Sequence, residues 1–327
     1  MDKSPHPLPS PEGRGVRGEG IPLTMQTTNE YNRKRLRLGL WFTTPALIVL
    51  FTVLAYPILA SFVLSFQRIR FAGQGLERQF NGIDNYTRLV GDQTFRAALL
   101  RSVYFTLTEV VAVLLLALIV ALLLNHPLGR HAFFRVVLLV PWALAPVANA
   151  VLWKWIYNAN YGILNQSLLA LGLIDENIIW LGKPWLALNM ILLADVWKAV
   201  PFIALLILAG LQNIPSYLYK AARLDGANSW QQFVHVTFPG LKTTLVISIV
   251  LQSIWALKVF DLIYVLTKGS PADSTVLLNY LSWRETFSNL DIGYGAAIAN
   301  VLFIMMFMLA LVYIRALRPR ETKAQAG

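Results

Sequence analysis

The stretch KAARLDGANSWQQFVHVTFPG, residues 220–240, is a polar and well-organised segment between two long apolar runs. Its alanines, followed by Asp225-Gly226, predict a short helix that ends in a turn. Ser229 followed by Gln232 fits a capping box and predicts the start of a second short helix. The stretch therefore predicts a helical hairpin, and the two flanking runs decide where that hairpin can lie.

The composition is that of a membrane protein. Of the 327 residues, 56% are hydrophobic and 14% are charged, and the mean hydropathy is +0.55. A soluble domain has about 25% charged residues, so this chain has roughly half the usual solubilising charge. It has no cysteine, which excludes disulfides and thiol catalysis. These features predict an all-α polytopic membrane protein.

Six apolar runs are each long enough to cross about 30 Å of hydrocarbon as a helix. We predict spans at 38–66, 99–124, 134–154, 185–210, 243–266 and 296–314. Pro45 and Pro57 lie in the first span, where membrane helices tolerate such interruptions. An even number of spans places both termini on the same side of the membrane.

The distribution of basic residues predicts the orientation. The side that holds both termini carries 16 Lys and Arg residues, against 9 on the opposite side when Lys154 is counted at its boundary. Because cytoplasmic segments carry the excess of Lys and Arg, both termini and the 211–242 loop are predicted to be cytoplasmic. The net charge of +11 therefore indicates membrane topology rather than nucleic-acid binding.

The two ends of the chain differ in composition from the rest. Residues 1–30 are rich in Pro, Gly and charged residues and contain no apolar signal-peptide core, so we predict a disordered tail. Met25 is an alternative start for the chain. Residues 31–320 are predicted to form the transmembrane domain, and 321–327 a C-terminal tail.

The hairpin has two interpretations on its residues alone. Small alanines share one face of its first helix with Leu218 and allow close approach of another surface. On the second helix Trp230, Phe233 and Val234 share a face and are candidate anchors. The hairpin is either a connector that packs on its own membrane domain or a docking site for another protein, and periodicity does not separate the two.

Ionisable side chains inside two spans predict a polar path through the membrane. The predicted path residues are Asp195, Lys198 and Phe202 in the fourth span and Gln252, Trp255 and Val259 in the fifth. In each span they share one helical face. Ionisable groups at this depth need a partner or a polar cavity, and polar groups beside aromatic rings suit a sugar.

The charged residues of these spans also fit purely structural roles. Asp195 and Lys198 have the spacing with which they would neutralise one another along a single helix. Lys258 and Asp261, at the end of the fifth span, serve either structure or gating, and Glu109 in the second span has no assigned role.

Signatures of catalysis are absent from the sequence. No G-x-x-x-x-G-K-[ST] run is present, so the chain has no phosphate loop with which to hydrolyse ATP. No G-x-S-x-G nucleophile motif is present, and the four histidines have no metal-ligand spacing. We predict a protein that is not an enzyme and that itself binds no cofactor or metal.

The hairpin resembles the EAA loop of binding-protein-dependent ABC importer permeases. The resemblance is carried by Ala221, Ala222, Asp225, Gly226, Ala227, Phe233 and Pro239. In that family the loop lodges in a cleft of a cytoplasmic ATPase and couples nucleotide-driven closure to transport. The family usually has a glutamate where this chain has Lys220, which implies an ATPase with an acid, or no charge, opposite Lys220.

Further motifs extend the resemblance over residues 36–320. FDLIYVLT at 260–267 and GYGAA at 293–297 are more similar to the MalF-type subunit than to its MalG-type partner. The resemblance implies a MetI/MalF-like ABC type I importer permease core with six transmembrane helices. It also implies a location in the plasma (inner) membrane of a bacterium or archaeon, surrounded by membrane lipid.

The resemblance also implies what the chain works with. A homologous second permease would complete the path, two cytoplasmic ABC ATPase subunits would bind ATP, and an extracytoplasmic solute-binding protein would deliver a sugar, oligosaccharide, polyol or glycerol phosphate. The path residues match positions that line the sugar site of the MalF-type subunit, but different side chains leave the solute undefined. The rival from another class is a self-contained secondary transporter, which predicts internal repeats that the sequence does not clearly show.

Overall fold

The computed structural model describes residues 25–72, 75–126 and 132–317. Residues 1–24 of the predicted N-terminal tail and the predicted 321–327 tail lie outside the described residues. The first helix begins at Met25, so residues 25–30, which composition assigned to the tail, are helical.

The chain divides into two compact units, Met1–Ile58 and Leu59–Gly327. Helix α1, Met25–Leu50, continues through a π-helical turn at Phe51–Ala55 into α2, Tyr56–Leu64. The first apolar span covers Leu38–Leu64. Threonine hydroxyls in this span donate to carbonyls of the preceding turn, which satisfies them where lipid offers no partner.

A two-stranded antiparallel β-hairpin follows the first span. Strand β1, Gln67–Ala72, pairs with β2, Gly75–Phe80, and Arg68 stands opposite Gln79. The predicted helical fold is confirmed, and this hairpin is an addition to it. Hydropathy detects long apolar runs, whereas this short segment is rich in arginine and pairs only locally, so the sequence pattern did not reveal it.

The second unit contains the other helices that the structure describes. In chain order they are α3 (Asp84–Gly91), α4 (Gln93–Asn125), α5 (Ala132–Ala143), α6 (Pro146–Ile156), α7 (Ile163–Ala170), α8 (Pro184–Gln212), α9 (Ser216–Leu224), α10 (Ser229–Gln232), α11 (Phe238–Leu257), α12 (Asp261–Leu266), α13 (Leu278–Trp283) and α14 (Ile292–Leu317). A π-helical turn at Phe233–Thr237 joins α10 to α11, and another at Arg284–Ser288 follows α13.

Five of the six predicted spans are long apolar helical segments in the described part of the chain. The remaining one is the third span in chain order, predicted at 134–154. It is a pair of helices, Phe133–Ala143 and Pro146–Ile156, that meet at a 91° bend. Pro146 has no N–H with which to continue the hydrogen bonds of α5, and the backbone of Ala145 is extended with ψ 144°. The break turns α6 away from α5 and packs it against α12.

Helices α4 and α8 form the centre of the second unit, and α11 packs against both. Fully buried alanines let α4 and α8 approach closely. These alanines are Ala98, Ala117, Ala121, Ala194 and Ala204. Gly210 allows α8 to pack closely against α11, because a Cβ at this position would lie 2.5 Å from Oγ1 of Thr244. Small residues therefore set the spacing of the three helices that enclose the site.

A polar cluster joins the start of α4 to the start of α14. Asp92 caps α4 by accepting from the backbone N–H of Thr94 at 2.7 Å, and the hydroxyl of Tyr294 donates to the same carboxylate. Arg88 binds Asp291 at 2.6 Å and lies over the ring of Tyr294. Although partial desolvation opposes the change, the hydrogen bonds lower the pKa of Asp92. These polar groups satisfy one another.

Candidate functional site

A cavity of about 290 Å³ lies where α4, α8 and α11 meet the broken α5–α6 pair and the start of α12. Its wall combines charged, amide and aromatic side chains. Small-molecule pockets usually measure about 300–1,000 Å³, so this cavity is at the lower end of that range.

The predicted path residues converge on this cavity. Those that line it are Asp195 and Lys198 from α8 and Gln252, Trp255 and Val259 from α11. Phe202 lies behind the wall, where its ring stacks on Trp142 with centroids 5.1 Å apart and meets Trp255 edge-on at 5.3 Å. The structure brings all six together, and their contact with a solute stays a prediction.

Three polar residues of the cavity lining, Glu109, Asn149 and Gln252, are almost completely buried and are here called the floor. Their exposed fractions are 0%, 1% and 1%. The amide Nε2 of Gln252 donates to Oε1 of Glu109 at 2.5 Å, which links α11 to α4. Oε1 of Gln252 and both amide atoms of Asn149 have no hydrogen-bond partner, whereas the carboxyl of Glu109 is also hydrogen-bonded to Asp195. The floor therefore holds several buried polar atoms that the protein itself leaves unsatisfied.

Asp195 interacts electrostatically with Glu109 across the contact of α8 with α4. The two ion pairs within 4.0 Å among the described residues lie elsewhere, at Arg88–Asp291 and at Arg284–Asp273. Lys198 acts on Asp195 only at longer range. The alternative that Asp195 and Lys198 form a self-contained ion pair on one helix is therefore not what the structure contains.

The cavity wall also includes Glu109, Trp142 and Asn149, which were not assigned to a path from the sequence. The last two lie on either side of the α5–α6 break, which was predicted as one continuous span. The signal in the sequence was the pair of prolines, Pro141 and Pro146, because a proline in a helix interior kinks or breaks it. Lys258 and Asp261, whose role stayed open, also line the cavity.

The second candidate site is the predicted hairpin, formed by α9 and α10 and here called the coupling hairpin. Helix α9 ends at Leu224 with Asp225 as its C-cap, and Gly226 follows with φ +76°, a conformation that favours glycine. The capping box is one residue earlier than predicted. The side chain of Asn228, not Ser229, accepts from the N–H of Gln231 at 2.8 Å, and the side chain of Gln231 accepts from the N–H of Asn228 at 2.8 Å.

The coupling hairpin is anchored at its base and exposed at its tip. The hydroxyls of Tyr219 and Thr237 are 3.1 Å apart, and a Cβ on Gly240 would lie 2.8 Å from Cδ1 of Ile214. At the tip Leu224 is 89% exposed and Trp230 is 70% exposed. The hairpin therefore does not use these two apolar side chains to pack on its own domain.

Most residues that carry the EAA resemblance lie at or beside this exposed tip, whereas Pro239 lies next to Gly240 at the base. Ala221, Asp225, Gly226 and Pro239 are exposed, whereas Ala222, Ala227 and Phe233 are partly buried. The ring of Phe233 stacks on Trp230 with centroids 5.6 Å apart. Lys220 is also exposed, and neither ion pair of the described residues includes it.

Comparison with known proteins gives a family match over most of the chain. The model of the family described as "Binding-protein-dependent transport system inner membrane component" matches residues 93–323. The chain is 36% identical to the trehalose/maltose transport system permease protein MalF of Thermococcus litoralis over 296 residues, which are 90% of this chain and 98% of that protein. It is 37% identical to the sulfoquinovosyl glycerol transport system permease protein SmoG of Agrobacterium fabrum over 284 residues, 87% of this chain and 91% of that one.

A solved structure has the same fold. It is a chain of a bacterial alginate ABC transporter, crystallised in complex with an alginate pentasaccharide-bound periplasmic protein. The TM-score is 0.74, the sequence identity is 19%, and the match covers 86% of this chain and 94% of that chain. This chain and that transporter chain therefore share the same overall arrangement of helices.

Proposed function

Because the chain belongs to the family of binding-protein-dependent transport system inner membrane components, we propose that it is the membrane-spanning permease subunit of an ABC importer. Its solute is a carbohydrate or a related polyhydroxy compound: a sugar, an oligosaccharide, a polyol or a glycerol phosphate. The protein acts in the plasma membrane of a prokaryote, with both termini in the cytoplasm.

The permease works as one part of a larger assembly. A solute-binding protein delivers the solute on the outer side, and a second, homologous permease completes the path. Two ATPase subunits each hold the coupling hairpin of one permease and, by closing on ATP, switch the cavity between the two faces of the membrane. The chain itself contributes no phosphate loop, so the ATP chemistry belongs to these partners.

The exposed tip of the coupling hairpin is the observation that carries the proposal. A capped, ordered hairpin with Leu224 and Trp230 in solvent has the features of an interface without its partner. Tryptophan is enriched among the few residues that dominate binding energy at protein interfaces. A self-contained transporter would have no use for a rigid, apolar hairpin outside its membrane domain.

The cavity supports the carbohydrate part of the proposal. It combines the aromatic faces of Trp142 and Trp255, which suit the C–H face of a sugar ring, with amide and carboxyl groups that suit hydroxyls. The two relatives described above are named for trehalose/maltose and for sulfoquinovosyl glycerol, which are both glycosidic solutes.

A site-specific crosslink tests the assembly. A photo-crosslinking amino acid at Ala222 is expected to capture a nucleotide-hydrolysing chain when the importer subunits are expressed together. The matched control is the same probe at Leu171, which is 72% exposed but lies outside the hairpin and is expected to capture no ATPase. Capture from neither position, together with solute uptake in vesicles that lack any ATPase, would identify a secondary transporter instead.

A further inference from the structure

The link between α6 and α8 begins with a long stretch that carries no charge. Residues 155–174, here called the uncharged segment, contain no Asp, Glu, Lys, Arg or His. In an average soluble protein a stretch of this length has about five charged residues. The segment includes the end of α6 and all of α7 and precedes α8, so it lies at the end of α8 that is opposite to the coupling hairpin.

The large apolar side chains of the uncharged segment are exposed. Trp155, Tyr161, Ile163, Leu171 and Leu173 each have an exposed fraction between 62% and 72%. The rings of Trp155 and Tyr161 are 6.1 Å apart, so the chain after α6 folds back against the end of that helix. Exposed apolar side chains at this density mark a surface that is covered in the working protein.

The polar groups of the segment are satisfied from within. The side chain of Asn165, which is 0% exposed, donates to the carbonyls of Ala159 and Ile178 at 3.0 Å each. Its oxygen accepts from Nε1–H of Trp180 at 2.9 Å. The side chain of Asn158 accepts from two backbone N–H groups that follow it. Irregular backbone needs such internal partners where water is scarce.

The segment is too short in its helical part to cross a bilayer. Helix α7, Ile163–Ala170, has eight residues and is about 12 Å long, whereas the hydrocarbon core is about 30 Å thick. Irregular backbone exposed to lipid also does not occur inside that core. The segment therefore lies at the surface of a membrane rather than across it.

The residues around the segment favour lipid over protein as its cover. Val151 and Leu152 on α6 are exposed apolar residues directly before it, so its apolar surface continues that of a membrane helix. Exposed lysines, Lys154 and Lys183, flank the link on both sides, and Trp185 follows at the start of α8. Tryptophan is typical of the membrane–water interface, and lysine there extends its charge towards the lipid headgroups.

The coupling hairpin differs from the segment in composition. Its exposed Leu224 and Trp230 lie among exposed charged residues, with Arg223 and Asp225 on either side of Leu224. Hydrocarbon does not accept such charges, whereas a protein surface does. The absence of charge therefore distinguishes a surface for lipid from a surface for a protein.

We propose that the uncharged segment is a membrane anchor that lies in the boundary between headgroups and acyl chains, in the leaflet opposite to the coupling hairpin. Its apolar side chains enter the acyl region, and Lys154 and Lys183 lie near lipid phosphates. The anchor holds the end of α6 and the start of α8 at one depth. This inference goes beyond the proposed function, because it depends on the bilayer and not on the solute or the ATPase.

The test measures the depth of single spin labels in the membrane. Because the chain has no cysteine, Ile163→Cys, Leu171→Cys and Leu173→Cys each give one labelling site. The complete importer is placed in vesicles of phosphatidylcholine and phosphatidylglycerol. Collisions of the label with oxygen, which concentrates in lipid, and with a water-soluble nickel complex report its depth. We expect all three labels roughly 5–10 Å below the headgroup phosphates.

Glu176→Cys is the matched control. Glu176 is exposed in the same link, two residues beyond the uncharged segment. Its label is expected to collide mainly with the nickel complex, whereas labels inside the segment collide mainly with oxygen. If a label at one of the three positions prevents assembly, the other two decide the result.

Three results would overturn the inference. Nickel collisions as frequent in the segment as at Glu176 would mean that it lies in water. Few collisions with both reagents would mean that another protein chain covers it. A change of either kind that occurs only when the solute-binding protein is added would make the segment a docking surface for that protein. None of these results alters the crosslink between the coupling hairpin and the ATPase, so failure of the anchor is distinguishable from failure of the proposed function.

Discussion

The cavity floor and the coupling hairpin depart from ordinary protein structure in opposite ways. The floor leaves both amide atoms of Asn149 and the amide oxygen of Gln252 without a hydrogen-bond partner in a buried place. The hairpin satisfies its polar groups with its own capping box and leaves Leu224 and Trp230 in solvent. Neither arrangement stabilises the folded protein, because buried polar groups are normally paired and large apolar groups are normally covered.

This difference indicates which kind of binding partner each region needs. A site with unpaired polar atoms inside a cavity needs a small polar molecule, whereas a rigid element with exposed apolar side chains needs a protein surface. The polar cluster of Asp92, Arg88 and Tyr294 is a useful reference, because its groups satisfy one another. We therefore expect substitutions in the floor and in the hairpin to impair different steps.

The largest effect is expected from Gly226→Asp. It would place a charge at the centre of the predicted docking surface, where an unpaired charge excluded from water is costly. Binding of the ATPase, measured by co-purification with the permease, should fall by roughly a hundredfold. Gly172→Asp is the control, because Gly172 also has a positive φ with open space around it but lies outside the hairpin. Equal losses in both variants would mean that backbone strain, not docking, is responsible.

Trp230→Ala is expected to have the next largest effect. Removal of an interface tryptophan commonly costs about 2 kcal/mol or more, which corresponds to a loss of about thirtyfold in affinity for the ATPase. Trp155→Ala is the control, since Trp155 is 65% exposed on α6. Titration of the purified permease with the ATPase measures both. Unchanged affinity for Trp230→Ala would exclude the apolar tip as an anchor.

Trp255→Ala tests the role of the cavity rather than that of the coupling hairpin. The ring lines the cavity and supports Phe202, so its loss should lower solute transport by up to about tenfold while the ATPase still binds. Phe307→Ala, which removes an exposed ring from α14 away from the cavity, should leave transport unchanged. If Trp255→Ala instead prevents assembly, the separation of the two regions is wrong.

The smallest effect is expected from Asn228→Ala. Loss of a helix cap costs about 1 kcal/mol, so α10 should loosen and ATPase affinity should fall by about fivefold. Asn228→Ser retains an oxygen that can cap the helix and should restore most of the affinity. Hydrogen exchange of the α10 amides measures the loosening directly, and protection equal to that of the unaltered chain would show that the cap does not stabilise the tip.

The predictions from sequence were correct where they depended on the geometry of a single helix. The face that carries Asp195 and Lys198 and the face that carries Gln252 and Trp255 both reach the cavity, because periodicity specifies which side chains share a side of a helix. The turn at Asp225-Gly226 and a second helix after it were predicted correctly, but that helix ends at Gln232, before Phe233, and a neighbouring asparagine provides its cap with the same chemistry.

The predictions did not extend to relations between helices. Asn149 was missed because the run 134–154 is mostly apolar and hydropathy does not detect a 91° bend. Asp195 had a partner within reach on its own helix, yet the structure sets it beside Glu109, which lies 86 positions earlier in the chain. Nothing in either span alone specifies that pairing.

By itself, the sequence determined that the chain is membrane-embedded, where its apolar runs lie, which face of each run is polar and where the coupling hairpin is. Composition and spacing are local properties, and local rules of helix geometry and hydropathy translate them directly. Only the tertiary structure decided which polar faces meet, that the third span is broken, and which atoms at the floor stay without partners. Those outcomes depend on close packing among distant helices, where small residues such as Ala194 and Gly210 set the spacing and the unfilled space is left between them.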